Sequence, residues 1–361
     1  MKKLLSVYTL FVFIPISIAL EHFKPEAHTL IFFSAAVAIV PIARLISAAT
    51  ENLSHYTGQS IGGLLNATFG NFPELIIVMM ALNAGLHEMV LASLIGAVLA
   101  NLLLALGISF FAGGLKYHTQ DFNPVSSRVY SSMMFIAVFS MVVPSSFDRL
   151  FGSGELFQTQ ASLLNIGLSV MLLITYILYL IFMIKTHPDF FTSSSQAGAE
   201  EESHEEHWSM KRAIASLIIA SLLAAWMSEI LVGSAEETGK ALGMTTTFIG
   251  IIILAVVGGA AESLSAISMA VKNKMDLTLS IALGSCIQIS LMIAPLAVLA
   301  SYFIGPKPMN LSFGRVELGA LLLSVLMGIM VASDGKSNWY KGIQLIVIYL
   351  IIAFMFFFMP A

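Results

Sequence analysis

Charge is scarce in this chain. Only 11% of its 361 residues are Asp, Glu, Lys or Arg, against about 25% in an ordinary soluble domain. There is one cysteine, Cys286, which excludes a disulfide framework. The net charge of −4 gives no reason to invoke nucleic acid. None of the eight histidines lies in the middle of an apolar segment, so a histidine-built metal centre at depth is excluded. What the chain has instead is hydrophobic residues, 58% of the total. A soluble core cannot use that much apolar surface, so the solvent is mostly lipid.

Eleven apolar segments are long enough to span about 30 Å of hydrocarbon as helices. They fall near 4–20, 28–50, 61–83, 88–112, 129–144, 157–184, 211–233, 246–271, 277–303, 314–332 and 339–359. The pattern predicts an all-α polytopic membrane protein. The first segment reads as a retained helix, although its basic start and Ser17-Ile18-Ala19 also resemble a signal peptide. The positive-inside rule sets the orientation. With the N-terminus in the cytoplasm, twelve of the seventeen Lys and Arg residues fall on cytoplasmic ends.

The one long polar stretch, at 186–210, then lies in the cytoplasm. It carries Glu200, Glu201, Glu202, Glu205 and Glu206 with His204 and His207. It reads as an acidic linker or a weak cation sensor, and it lacks the ligand spacing of an EF-hand. It separates a first unit at 28–185 from a second at 211–361, with an N-terminal helix at 1–27.

The two units resemble each other. Shifted by 188 residues, "IGGLLNATFGNFPE" (61–74) falls on "IGIIILAVVGGAAE" (249–262). Ile61, Gly62, Ala67, Gly70 and Glu74 each meet an identical residue, and Gly96 meets Gly284. Five helices per unit is an odd number, so the second copy enters the membrane from the opposite side. The expected architecture is one N-terminal helix plus two inverted five-helix repeats. Transporters of that kind bind substrate near the midplane, where the repeats meet.

Glu74 and Glu262 are the residues that composition does not explain. An ionised carboxylate costs several kcal/mol at the bilayer centre unless it is paired or faces water. Neither segment carries a Lys or Arg near its acid in sequence. Two such acids placed together repel, and the site then takes protons or a divalent cation. Pro73 lacks an N–H, and Gly70 and Gly258-Gly259 let backbone approach closely, so carbonyls can leave the helix ladder. Ca²⁺ takes six to eight oxygens from carboxylates, carbonyls and amides. Asn101 and Gln288 lie in the next segment of each unit, 27 and 26 residues beyond their glutamates. Each is a ligand candidate, with plain interhelical hydrogen bonding as the alternative. Glu229 and Glu317 read as interfacial or accessory.

"GNFPELI" and "GGAAESLSAI…KNKMDLTLSIALGSCIQI" resemble the two repeat motifs of the CAX family, the cation/proton exchangers of the calcium/cation antiporter superfamily. The likeness covers nearly the whole chain and has the look of a bacterial member. It implies a Ca²⁺/H⁺ antiporter in the cell membrane that exports cytosolic Ca²⁺ by alternating access, and no enzyme. Glu74 and Glu262 would bind Ca²⁺ or H⁺ in turn. Gly70, Asn71, Gly258, Asn101, Ser285 and Gln288 would line the site. No cofactor is implied; the partners are Ca²⁺, protons and lipid, and assembly of several copies is compatible with the sequence. The sequence departs from the commoner pattern at Gly259, where many members have Asn, and at Ser263, where many have His. The alternatives are an exchanger coupled to Na⁺ or K⁺ or carrying other divalents, an intramembrane enzyme, and a passive channel.

Overall fold

Lipid offers no hydrogen bonds, so a spanning backbone must satisfy its own polar groups within helices. The computed structural model describes residues 7–151, 155–190 and 208–359. After a 3₁₀ turn at Thr9–Val12, the first half comprises α1 (Phe13–Phe23), α2 (His28–Phe69), α3 (Phe72–Asn83), α4 (His87–Tyr117), α5 (Pro124–Phe151) and α6 (Glu155–Ile181). The second comprises α7 (Met210–Leu242), α8 (Thr246–Gly258), α9 (Ala260–Val271), α10 (Met275–Ala300), α11 (Arg315–Ala332) and α12 (Trp339–Phe357). Most of the acidic stretch at 186–210, all five of its glutamates included, lies outside the described residues.

Among the described residues, eight helices are long and apolar enough to cross a membrane, and the bent pair α8–α9 makes a ninth. Two shorter apolar helices, Thr9–Phe23 and α3, stand where the first and third expected segments fall. One expectation is corrected. The sequence suggests separate segments at 28–50 and 61–83, but helical bonding runs unbroken from His28 to Phe69. The intervening "TENLSHYTGQ" holds no proline, and two of its polar side chains, Asn52 and Ser54, fold back onto the helix. Asn52 Nδ2 donates to Ala48 O at 2.9 Å, and Ser54 Oγ donates to Glu51 O at 2.7 Å. The break comes later, at Gly70–Asn71.

The duplication is visible in the backbone. α4 loosens into a wider π-helical turn at Ala100–Ala105, and α10 does so at Ile289–Ile293. Moved by the 188-residue repeat, the first turn lands on the second. Such turns free carbonyls and often mark functional sites.

Lipid gives two apolar helices little hydrophobic reason to associate, so close approach through small residues drives their packing. α2 and α7, the long helices of the two halves, lie along each other. Ala35, Ala38, Ala220 and Ala224 are buried in that seam beside Ile39 and Leu231. α4 crosses α8 through glycines. Gly96 leaves no room for a side chain against the Ile251 backbone, and a Cβ on Gly250 would meet Ala92 Cβ at 2.7 Å. At Gly284, the position equivalent to Gly96 in the second half, a Cβ would meet no described residue within 4 Å. A short ribbon ties the halves at one end, with Thr119–Asp121 (β1) antiparallel to Lys336–Asn338 (β2).

Candidate ion-binding site

Both glutamates sit in the first turn of a half-helix that begins inside the fold. Glu74 is the third residue of α3, and Glu262 is the third residue of α9. α8 and α9 meet at 56° around Gly259. Pro73 plays a different part from the one its chemistry first suggests. It lies in the first turn of α3, where the N–H it lacks would have no helical partner anyway. The chain therefore breaks before the proline, and α3 restarts with it. A helix N-terminus carries positive partial charge. That field favours an ionised carboxylate at each glutamate.

Glu74 and Glu262 are 6% and 8% exposed. Neither Glu74 oxygen has a hydrogen-bond partner from another residue, and Glu262 Oε2 has none either. Such bare buried oxygens are rare in folded proteins and call for a reason. Glu74 Oε1 lies beside Gly259, three residues before Glu262 along the chain. Among the described residues no group of three or more His, Cys, Asp or Glu gathers to hold a metal, so further oxygens have to come from amides, hydroxyls and carbonyls.

The glycines of the second half explain where Glu74 rests. A Cβ on Gly258 would stand 3.1 Å from Glu74 Cγ. A Cβ on Gly259 would stand 3.5 Å from Asn101 Oδ1 and 3.6 Å from Glu74 Oε1. Oxygens from α3 and α4 thus converge over Gly259, which itself has φ −77°. That backbone angle suits any residue, so glycine is present there for space. A narrow cleft opens beside Glu74, walled by Ile77, Ser93, Ala97, Ala255 and Ile289.

A directed chain of hydrogen bonds crosses between the halves. Asn101 Nδ2 donates to Ser285 Oγ at 3.0 Å, and the Ser285 hydroxyl donates to Asn71 Oδ1 in a very short contact. Asn71 Nδ2 donates to Gln288 Oε1 at 2.6 Å, and Gln288 Nε2 donates to Thr68 O at 3.0 Å. All four side chains are buried. The structure therefore brings together Glu74, Asn71, Asn101, Ser285, Gln288 and Gly258; Gly70 lies in the turn just before them. Asn101 and Gln288 do act as interhelical ties, and the placement of Asn101 Oδ1 with Glu74 Oε1 over Gly259 does not conflict with that role.

One charged residue escaped the sequence reading. Arg44, on α2, donates from Nη1 to Ser265 Oγ at 2.9 Å. Ser265 is three residues beyond Glu262 on α9, so the guanidinium stands about one turn from the second acid. In the sequence Arg44 counted only as a charge near a cytoplasmic end. No local pattern links it to a serine 221 residues away.

Comparison with known proteins gives a consistent result. The sodium/calcium exchanger protein family matches residues 27–185 and 212–358. The chain is 42% identical over 347 residues to the Ca²⁺/H⁺ antiporter ChaA of Bacillus subtilis, covering 95% of this chain and 96% of that one. It is 38% identical over 363 residues to a Ca²⁺/H⁺ antiporter of Aphanothece halophytica, covering 98% and 96%. Among solved structures, native YfkE superposes with a TM-score of 0.83 at 38% identity over 98% of this chain and all of that one. The H⁺/Ca²⁺ exchanger CAX shares the fold alone, with a TM-score of 0.68 at 14% identity over 99% of this chain and 92% of that one. By sequence along nearly its whole length, this chain belongs to the sodium/calcium exchanger protein family.

Proposed function

We propose that this protein is a secondary Ca²⁺/H⁺ antiporter in which Glu74 and Glu262 hold Ca²⁺ or protons in turn. One observation carries the reading. A carboxylate from one repeat is seated on the glycine pair of the other, buried, with both oxygens bare. The relatives named Ca²⁺/H⁺ antiporter support it.

Ca²⁺ would sit over Gly259, where Glu74 and Asn101 present oxygen and no Cβ intrudes. Two ionised acids balance one Ca²⁺, and two protons balance them equally well. A near-neutral site crosses the low-dielectric region at lower cost than a doubly charged one, so the empty carrier is discouraged from moving. The hydrogen-bonded chain from Asn101 to Thr68 O keeps the amide oxygens oriented while the cargo changes.

The repeats supply the alternation. In the described conformation the glycine crossing of α4 on α8 is closed, and no described residue stands within 4 Å of a Cβ on Gly284, its counterpart on α10. With the N-terminus in the cytoplasm, the closed crossing lies on the outer side and Gly284 on the cytoplasmic side. Ca²⁺ would enter from the cytoplasm and leave after the α4–α8 crossing opens.

The test is ⁴⁵Ca²⁺ uptake into inside-out vesicles under an imposed pH gradient, with a Na⁺ gradient as control. Uptake driven by the pH gradient is the expected result. Uptake driven only by Na⁺ would transfer the coupling to a different ion, and uptake with neither gradient would indicate a passive pore.

A further inference from the structure

Among the described residues, Arg44 has no carboxylate within ion-pair distance. It is half-buried on the membrane-spanning part of α2, His28–Ser54. Among the described residues the ion pairs within 4.0 Å involve Lys240 and Lys341 only. A guanidinium has five N–H donors, and the hydrogen bond recorded for it runs from Nη1 to Ser265 Oγ. An arginine in a membrane span is costly to place and marks function by default. Its side chain is long enough to swing from Ser265 to Glu262, one turn away on the same face of α9. From Ser265 its charge stands about one turn from Glu262.

We infer that Arg44 is a charge-balancing residue of the ion site, held off Glu262 by Ser265, that weakens the grip on Ca²⁺ and so keeps the ion releasable. The inference rests on the Ca²⁺/H⁺ reading given above. Arginine stays protonated at any physiological pH, so its field does not change through the transport cycle. A fixed positive charge near the acids opposes a divalent ion entering the ionised site. Arg44 therefore lowers the affinity of the ionised site for Ca²⁺. The Ser265 hydroxyl competes with Glu262 for the same donors and holds the guanidinium off the acid.

Two substitutions with opposite expected signs test this. Ca²⁺ affinity is measured by calorimetry on the purified full chain at one fixed alkaline pH. Arg44→Gln should tighten Ca²⁺ binding, by about fivefold or more for a single charge one turn away in a medium of intermediate dielectric. Arg44→Lys keeps the charge and should stay within about twofold of wild type. Ser265→Ala frees the guanidinium to settle on Glu262 and should weaken binding. A merely structural role would weaken binding in both Arg44→Gln and Ser265→Ala. Unchanged or weaker binding in a folded Arg44→Gln protein overturns the inference, as does tighter or unchanged binding in Ser265→Ala. If Arg44→Gln does not fold, Arg44→Met, which keeps an unbranched chain of similar length without the charge, takes its place, and tighter binding is again the expected result. Wild type that binds no Ca²⁺ would instead overturn the exchange reading itself, so the two failures are distinguishable.

Discussion

Glu74 of the first repeat packs against Gly258 of the second, with its Cγ 3.1 Å from where a Cβ on that glycine would stand. That spacing is tighter than an ordinary side-chain contact, so even a methyl group must displace the glutamate. Gly258→Ala should lower apparent Ca²⁺ affinity about tenfold, in line with the 1–3 kcal/mol that overpacking costs. Gly259→Ala, whose nearest neighbours stand at 3.3–3.6 Å, should cost less. Calorimetric titration with Ca²⁺ compares the two, and an equal or reversed ranking would show that Glu74 does not depend on Gly258 for its seat.

Glu74→Gln and Glu262→Gln should each abolish exchange while leaving the fold intact. The amide keeps the shape of the acid but can neither ionise nor release a proton. Flux in vesicles is the readout, with elution volume and helicity as controls. Exchange above about half of wild type in either variant would remove that residue from the central site.

Protons and Ca²⁺ that share carboxylates must compete. Ca²⁺ binds the ionised acids, so its binding releases protons. Apparent affinity should therefore fall as pH drops and level off once both acids are ionised. Where both must lose a proton, the fall approaches about a hundredfold per pH unit. Titration in two buffers of different ionisation enthalpy counts the protons released. Affinity independent of pH, with no proton release, would end the proposed mechanism.

The glycine crossings give a test of alternation. Gly96→Val should disrupt the fold, because no side chain fits against the Ile251 backbone. Gly284→Val should fold normally, because no described residue lies within 4 Å of its Cβ. It should nonetheless cut transport at least about tenfold if α10 must close as α4 does now. Ca²⁺ binding in the folded Gly284→Val protein should survive. Full transport by that variant would mean that the repeats do not trade packing at this position.

The order of helices, the duplication and the two acids were legible because each leaves a local mark. An apolar run of some twenty residues has few fates other than a span, and a glutamate inside one is conspicuous because it is costly there. The repeat showed itself through glycines in register with those acids, residues that packing constrains more tightly than leucines. Asn101 and Gln288 stood out for the same reason, as amides at depth, whereas Asn71 came from the family resemblance.

Other features were decided only by the tertiary structure. α2 runs on to Phe69 because Asn52 and Ser54 satisfy themselves on their own helix, a rotamer choice that composition does not encode. Pro73 begins α3 instead of breaking it, and that depends on where Gly70–Asn71 lets the chain turn. Ser285 joins Asn71 across 214 residues, and Arg44 joins Ser265 across 221. Sequence by itself set the chemistry of the site: two carboxylates, several amides, glycines for space and too few charges to neutralise them locally. The partner of each group was set by the folding of one repeat onto the other, because hydrogen bonds reach only about 3 Å and distance along the chain says nothing about distance across the membrane.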